Sequence, residues 1–112
     1  MAGTIRALAG PVALANGTYV TNIYNPASAL IFGTIKHIHV NNNTAGALTF
    51  RLYKGATGAN AAGTDLFYDK TVAAKENFDY YCANRFESTD FLVGGGSAAG
   101  LTITVEGDET VK

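Results

Sequence analysis

Apolar and polar residues alternate along several short segments of the chain. In the segment LTITVE, Leu101, Ile103 and Val105 occupy every second position, with polar residues between them. Successive side chains of a β-strand point to opposite faces of a sheet. The segment is therefore predicted to be a half-buried strand with its three apolar residues turned inward.

The same period of two recurs upstream. ALTFRLYKG places Phe50 and Leu52 on one face, and GTIKHIHVNN places Ile38 and Val40 on one face. Runs of this kind, rich in β-branched and aromatic residues and bounded by turn residues, are typical of strands. Shorter candidates are TYVTNIYNP, TDLFYDKTV, ENFDYYCAN and DFLVGG. We expect seven or eight strands.

Three segments rich in Gly, Asn and Ala are predicted to be connections. NNNTAG follows Val40 and precedes Ala47, and Asn and Gly tolerate the positive φ of tight turns, so the two flanking strands are predicted to form a hairpin. KGATGANAAGT and VGGGSAAG lack side chains that could anchor them to a core. We expect both to be exposed and mobile, or ordered by a neighbour, with VGGGS a flexible hairpin loop.

Short strands separated by Gly-rich turns predict an all-β, single-domain β-sandwich or jelly roll, because an amphipathic sheet must cover its apolar face. A closed small barrel is the second choice. AAKENFDYYCANRF could form a helix, but its adjacent aromatic residues favour a strand. Residues 1–17 are predicted to be an N-terminal arm or first edge segment, and residues 18–112 the sandwich.

The amino-acid composition narrows the range of possible functions. Charged residues make up 15% of the chain, where about 25% is usual, and hydrophobic residues make up 47%. Part of the surface is therefore expected to be covered, by oligomerisation or by docking. The net charge is −1 and the Lys and Arg residues are scattered, so we predict no nucleic-acid partner. No apolar run is long enough to predict a membrane span or a secretory signal.

The strongest candidate for chemistry is the His-x-His pair formed by His37 and His39. Side chains two positions apart on a strand point the same way, which suits two metal ligands. A third ligand could come from Cys82, Asp79 or Glu106 only if folding brings it near. The favoured interpretation is that both imidazoles face solvent or an interface. We predict neither a metal nor a cofactor, and keep the pair as weak metal candidates.

The sequence carries no catalytic motif, and we predict that the protein is not an enzyme. A carboxylate pair for glycoside hydrolysis would need a cleft, and the chain has no Trp to line one for sugar stacking. The GGGS run lacks the Lys of a phosphate-binding loop. No Ser lies in the G-x-S-x-G setting of a nucleophile.

The aromatic residues comprise six Tyr and six Phe. Tyr has an apolar ring and a polar tip, which suits half-buried and interface positions. Core filling is the favoured role for most of these rings, and a Tyr-studded contact surface is the alternative. The candidate interface residues are Arg6, Tyr24, Tyr53, Tyr80 and Tyr81.

The order of segments supplies one further indication. It runs TNIYNP, IKHIHVNNNTAGALTFRLYKGATG, AAGTDLFYDKTVAAKENFDYY and RFESTDFLVGGGSAAGLTITVEGDE. This arrangement resembles the short β-sandwich structural proteins of tailed bacteriophage virions. The shared features are a strand, Asn-rich turn and alternating strand, then STDFL, then a last strand that ends in Gly and acidic residues. The resemblance covers about Thr21 to Glu109.

The resemblance implies a location in the virion and a structural role. The expected role is that of a capsid decoration (cement) protein, which docks on the phage head, stabilises it and assembles as a homo-oligomer such as a trimer. A neck or tail component is the alternative within this class, and a carbohydrate- or receptor-binding module is the alternative outside it. The resemblance assigns no functional residue.

Overall fold

The computed structural model describes residues 6–14 and 17–112, which fold into eight β-strands. The strands are β1 (Arg6–Ala13), β2 (Thr21–Tyr24), β3 (Ile31–Asn42), β4 (Leu48–Gly55), β5 (Asp65–Val72), β6 (Asn77–Phe86), β7 (Phe91–Gly96) and β8 (Leu101–Val111). The segment AAKENFDYYCANRF, considered as a possible helix, is a turn followed by β6. No helix in the described residues is long and apolar enough to cross a membrane.

The strands form two four-stranded antiparallel sheets. The first has the order β1-β8-β3-β6 and the second the order β2-β7-β4-β5. Only the connection between β4 and β5 stays within one sheet, and every other connection between described strands crosses to the other sheet. This is the strand order of an eight-stranded jelly roll. The predicted all-β sandwich is confirmed.

The core lies between the two sheets and is built from the inward positions of the alternating strands. Ile38 and Val40 of β3 pair in register with Val105 and Ile103 of β8, and all four side chains are fully buried. Phe50 is fully buried on the facing sheet. The predicted inward faces of these strands are confirmed, because each apolar stripe is covered by the opposite sheet.

The first described strand is part of the sandwich. β1 pairs with β8 and forms an edge of the first sheet. Sheet pairing therefore begins before residue 18, and residues 6–13 are an edge segment. Of residues 1–17, which were predicted to be an arm or a first edge segment, residues 1–5, 15 and 16 lie outside the described residues.

The predicted hairpin around NNNTAG is wrong. The strands on its two sides belong to different sheets, and the buried side chain of Asn42 holds the corner between them. Its Nδ2 donates to the carbonyl oxygens of Gly46 at 2.9 Å and Val72 at 3.0 Å. Its Oδ1 accepts from the backbone N–H of Thr44 at 2.9 Å. These hydrogen bonds satisfy backbone polar groups at the corner. The chain can therefore cross to the other sheet instead of forming a hairpin.

The VGGGS run is not a hairpin loop, because its glycines belong to β7. A Cβ atom added to Gly94 would lie 2.2 Å from the carbonyl oxygen of Arg51, so only glycine permits this close approach to β4. The remaining connection begins at Ser97. Its N–H donates to the carbonyl oxygen of Thr49 at 2.8 Å, and its Oγ accepts from the N–H of Thr49 at 3.0 Å.

The connection between β4 and β5 is tethered to β2, although its own sequence offers no apolar anchor. Asn22 Nδ2 donates to Thr57 Oγ1 at 2.8 Å, and Asn22 Oδ1 accepts from the N–H of Gly58 at 2.8 Å. A side chain from a distant strand thus supplies the anchor. The segment was expected to be exposed and mobile, or ordered by a neighbour, and these internal contacts with β2 hold it in place.

Replacing Ile103 with Asp should unfold the domain. The side chain is fully buried between the sheets, and an unpaired carboxylate there costs several kcal/mol, comparable with the about 5–15 kcal/mol that stabilise a whole domain. Circular dichroism and size-exclusion chromatography provide the measurement. The control is Thr102→Asp at the neighbouring, partly exposed position. A folded, soluble Ile103→Asp protein would contradict the assigned strand phase.

Replacing Asn42 with Ala should lower the free energy of unfolding by about 2–3 kcal/mol, because a buried carbonyl oxygen loses its partner and the corner loses several hydrogen bonds. Urea denaturation measures the change. Asn43→Ala is the matched control, with an expected effect within about 0.5 kcal/mol, since this neighbouring side chain is exposed. Equal effects of the two substitutions would show that the side chain of Asn42 does not hold the corner.

Candidate functional site

Five side chains meet on the outer face of the first sheet, where β3 lies between β8 and β6. His37 lies opposite Glu106 of β8 and Tyr81 of β6, and His39 lies opposite Asp79 of β6. Sheet pairing thus assembles residues that are far apart in the sequence. We call these five residues the histidine cluster.

A β-bulge in β3 sets the orientation of the histidines. The register shifts between Ile35 and His37 in the pairing of β3 with both of its neighbours. Ile35 and Ile38 are both fully buried although they are three positions apart, so the bulge at Lys36 resets the alternation. Bulges often re-aim side chains in this way. The spacing of these two isoleucines is the sequence signal for the bulge.

The two imidazoles converge on one carboxylate oxygen. His37 Nε2 lies 2.8 Å and His39 Nδ1 lies 2.6 Å from Asp79 Oδ1. On its other side, His37 Nδ1 lies 2.7 Å from Glu106 Oε1. The Tyr81 ring stacks on the His37 ring with centroids 4.4 Å apart and an interplanar angle of 6°. Both nitrogens and one face of the His37 imidazole are thus held by named neighbours.

Electrostatic interactions in the histidine cluster favour the ionised form of the Asp79 carboxylate. Burial acts to lower the pKa of His37, but its hydrogen bonds to Glu106 and Asp79 outweigh burial and hold that pKa above the ordinary value. The hydrogen bonds from His39 and His37 hold the pKa of Asp79 below its usual range. Asp79 therefore remains anionic over the pH range in which an imidazole loses its proton.

The histidine cluster is open to solvent on one side. The exposed fraction of the side chain is 18% for His37, 34% for His39 and 39% for Asp79. One donor atom from each of these three residues can be chosen so that all lie within 4.8 Å of one another. Small cations can reach this arrangement, and the sheet holds its backbone in place.

Of the three possible partners named for the histidines, two lie beside them and one does not. Asp79 contacts both rings and Glu106 contacts His37. The Cys82 thiol donates to the carbonyl oxygen of Ile35 at 3.3 Å and packs against the core. Sequence alone could not separate these residues, because strand pairing decides which of them face the same side of the sheet.

The tyrosines proposed for an interface occupy two kinds of position. Tyr24 and Tyr53 are buried, with exposed fractions of 7% and 3%, which differs from the expectation that they face a partner. Tyr24 donates to Glu109 Oε2 at 2.8 Å, and Arg6 is ion-paired to the same carboxylate. The polar tip of Tyr24 is thus satisfied inside the fold, so its ring can be buried.

Exposed tyrosines lie on β5 and β6, the edge strands of the two sheets that contact each other through Phe67 and Tyr80. Tyr80 is 36% exposed and Tyr81 is 72% exposed. Tyr68 of β5 is 59% exposed and was not among the predicted interface residues. Its ring stacks under the outward-facing guanidinium of Arg51, 4.0 Å from the ring centroid. We call Tyr68, Tyr80 and Tyr81 the tyrosine edge.

A separate groove of about 360 Å³ opens beside β2. Leu8 and Ile23 contribute apolar walls, and Asn22, Asn25 and Glu109 contribute polar groups. It shares no residue with the histidine cluster. Glu109 pairs with Arg6 and accepts a hydrogen bond from Tyr24, so its charge in the groove is largely neutralised.

The Cys82 thiol should react slowly while the protein is folded. Burial raises the pKa of this thiol above its ordinary value, although hydrogen bonds from Asn84 act in the opposite direction. A raised pKa leaves less reactive thiolate at a given pH. We expect modification by a disulfide reagent at pH 8 to be at least about tenfold slower in the folded protein than in guanidinium chloride. Equal rates would contradict the burial of the thiol.

No protein-family model matches the chain. No curated protein matches it significantly. Among solved structures, it is similar to a chain from infectious bursal disease virus of the Gt strain, with a TM-score of 0.41 and 5% identity over 96% of this chain. A chain from the Gx strain of that virus gives a TM-score of 0.41 and 8% identity over 95%. This protein spans 32% and 30% of those two chains. A likeness at this level assigns no function.

Proposed function

We propose that the protein is a non-catalytic structural component of a tailed-phage virion and that it decorates the capsid as a cement protein. The resemblance of residues from about Thr21 to Glu109 to phage virion proteins supports the biological setting. The observation that carries the docking role is the tyrosine edge. It gives a protein of low charge several exposed aromatic side chains along one edge of the sandwich.

The tyrosine edge has the chemistry of a protein interface. Tyr provides a large contact area with few rotatable bonds, and interfaces are enriched in it. Tyr80 is held in place by an edge-to-face contact with Phe67, whose ring centroid is 4.9 Å away. Phe67 in turn packs against Phe50 in the core at 5.6 Å. The Tyr80 ring is therefore supported by the core, which lowers the entropy cost of docking.

Several charged groups on the surface are engaged with one another. Arg51 pairs with Asp69 at 2.7 Å, and Lys112 and Arg85 both contact Glu87. These pairs are exposed and add little stability, but they leave much of the surface close to neutral. A neutral surface suits repeated docking on symmetric neighbours, where weak contacts accumulate through multivalency. On this basis the protein acts as a homo-oligomer, with a trimer matching a three-fold capsid position.

Cosedimentation with phage heads tests the proposed function. The purified protein should form a defined oligomer by light scattering and should pellet with heads at high copy number. The double variant Tyr68→Ser, Tyr81→Ser should bind at least about tenfold more weakly, because it removes two aromatic contacts. Val12→Ser is the matched control, since Val12 is 42% exposed on β1 at the opposite edge of the first sheet.

The other outcomes point to the alternatives. Saturation at the few copies of a single ring would favour a neck or tail component. Retention on a glycan array without binding to heads would favour a carbohydrate- or receptor-binding module. Unchanged binding by the double tyrosine variant would overturn the tyrosine edge as the docking surface.

A further inference from the structure

We propose that the histidine cluster binds one Zn²⁺ ion per chain. The ligands are His37 Nε2, His39 Nδ1 and Asp79 Oδ1, and Glu106 is a positioning residue for His37. This site is independent of the capsid role: it is defined by side chains on the outer face of the first sheet and does not require a particle.

The distances fit a small cation. Tetrahedral Zn²⁺ holds nitrogen and oxygen ligands at about 2.0–2.1 Å, which places neighbouring donor atoms about 3.3–3.4 Å apart. The two imidazole nitrogens now lie 2.8 Å and 2.6 Å from Asp79 Oδ1, and one donor atom from each of the three residues can be chosen so that all lie within 4.8 Å of one another. Shifts below about 1 Å would open this triangle to the metal. The exposed Asp79 side chain can make such a shift.

Glu106 prepares His37 for coordination. A metal-bound histidine usually donates its other ring N–H to a carboxylate, which fixes the tautomer and raises the basicity of the ligand nitrogen. His37 Nδ1 makes this contact with Glu106 at 2.7 Å, on the side of the ring away from Asp79. The stacked Tyr81 ring restricts rotation of the imidazole plane. His37 Nε2 is thereby aimed at the proposed ion.

Protons and charges balance at the site. Each imidazole coordinates as a neutral base, so His37 Nε2 releases its proton to solvent and His39 carries its remaining proton on Nε2. Asp79 and Glu106 then offset the charge of the dication. The solvent-facing side provides a fourth coordination position, which water fills. Two imidazoles and a carboxylate select Zn²⁺ and similar transition metals over Mg²⁺ and Ca²⁺, which prefer oxygen ligands.

Equilibrium dialysis of the whole chain, stripped with a chelator beforehand, tests the site. We expect one equivalent of Zn²⁺ to bind and an excess of Mg²⁺ or Ca²⁺ to leave this binding unchanged. Co²⁺ should bind in its place and give the strong visible absorption of a four-coordinate ion. Failure to bind one equivalent, or an octahedral Co²⁺ spectrum, would overturn the proposal.

Variants assign the ligands. His39→Gln and Asp79→Asn should each weaken Zn²⁺ binding at least about 100-fold, and both positions are exposed enough for the variants to fold. Glu106→Gln should weaken binding by about 10–100-fold and retain the stoichiometry, as expected of a positioning residue. Asp65→Asn, at an exposed carboxylate on β5, is the matched control and should bind like the parent protein.

Circular dichroism in the presence of chelator checks that each variant is folded before metal is added. Retention of tight Zn²⁺ binding by both His39→Gln and Asp79→Asn would overturn the assigned ligands. Equal losses in Asp65→Asn would show that binding is a general property of surface carboxylates and would also overturn the site.

Discussion

Strand alternation in β3 is the constraint on which the core and the histidine cluster both depend. The side chains of Ile38 and Val40 are fully buried against the second sheet, so the intervening His39 must face outward. The same alternation turns His37 outward, and the bulge at Lys36 allows Ile35 to be buried as well. A slip of one residue would bury imidazoles and expose isoleucines. The free energy of the core therefore fixes the direction of the candidate ligands, and no separate interaction is needed to aim them.

The composition of the histidine cluster also depends on the corners at which the chain crosses from one sheet to the other. β3 continues to β4 across the sandwich because Asn42 satisfies the corner's backbone groups from inside. This crossing leaves both sides of β3 free to pair with β6 and β8, which bring Asp79 and Glu106 to the histidines. A local hairpin would instead have placed β4 beside β3 and displaced one of these carboxylates.

Period-two alternation predicted the strands, the sandwich and the inward faces, since each depends on nearby residues. It could not predict the strand order. NNNTAG has the composition of a tight turn, but the burial of Asn42 depends on contacts with the distant Val72. The glycines after Val93 resemble a loop, and their place in β7 depends on the close approach of β4. The sequence alone identified His37 and His39 as a pair. The strand register was needed to show that Asp79 and Glu106 lie beside them and Cys82 does not.

Tyr81 connects the two proposals physically. Its ring stacks on His37, yet it is 72% exposed and belongs to the tyrosine edge. A partner that covers Tyr81 would also reduce the exposure of the neighbouring imidazole, and this would strengthen electrostatic interactions there. Asp79→Asn removes a proposed ligand but leaves the Tyr81 ring in place, whereas Tyr68→Ser alters the tyrosine edge on the outer face of the other sheet. Docking and metal binding can therefore be separated by substitution, although they share one aromatic side chain.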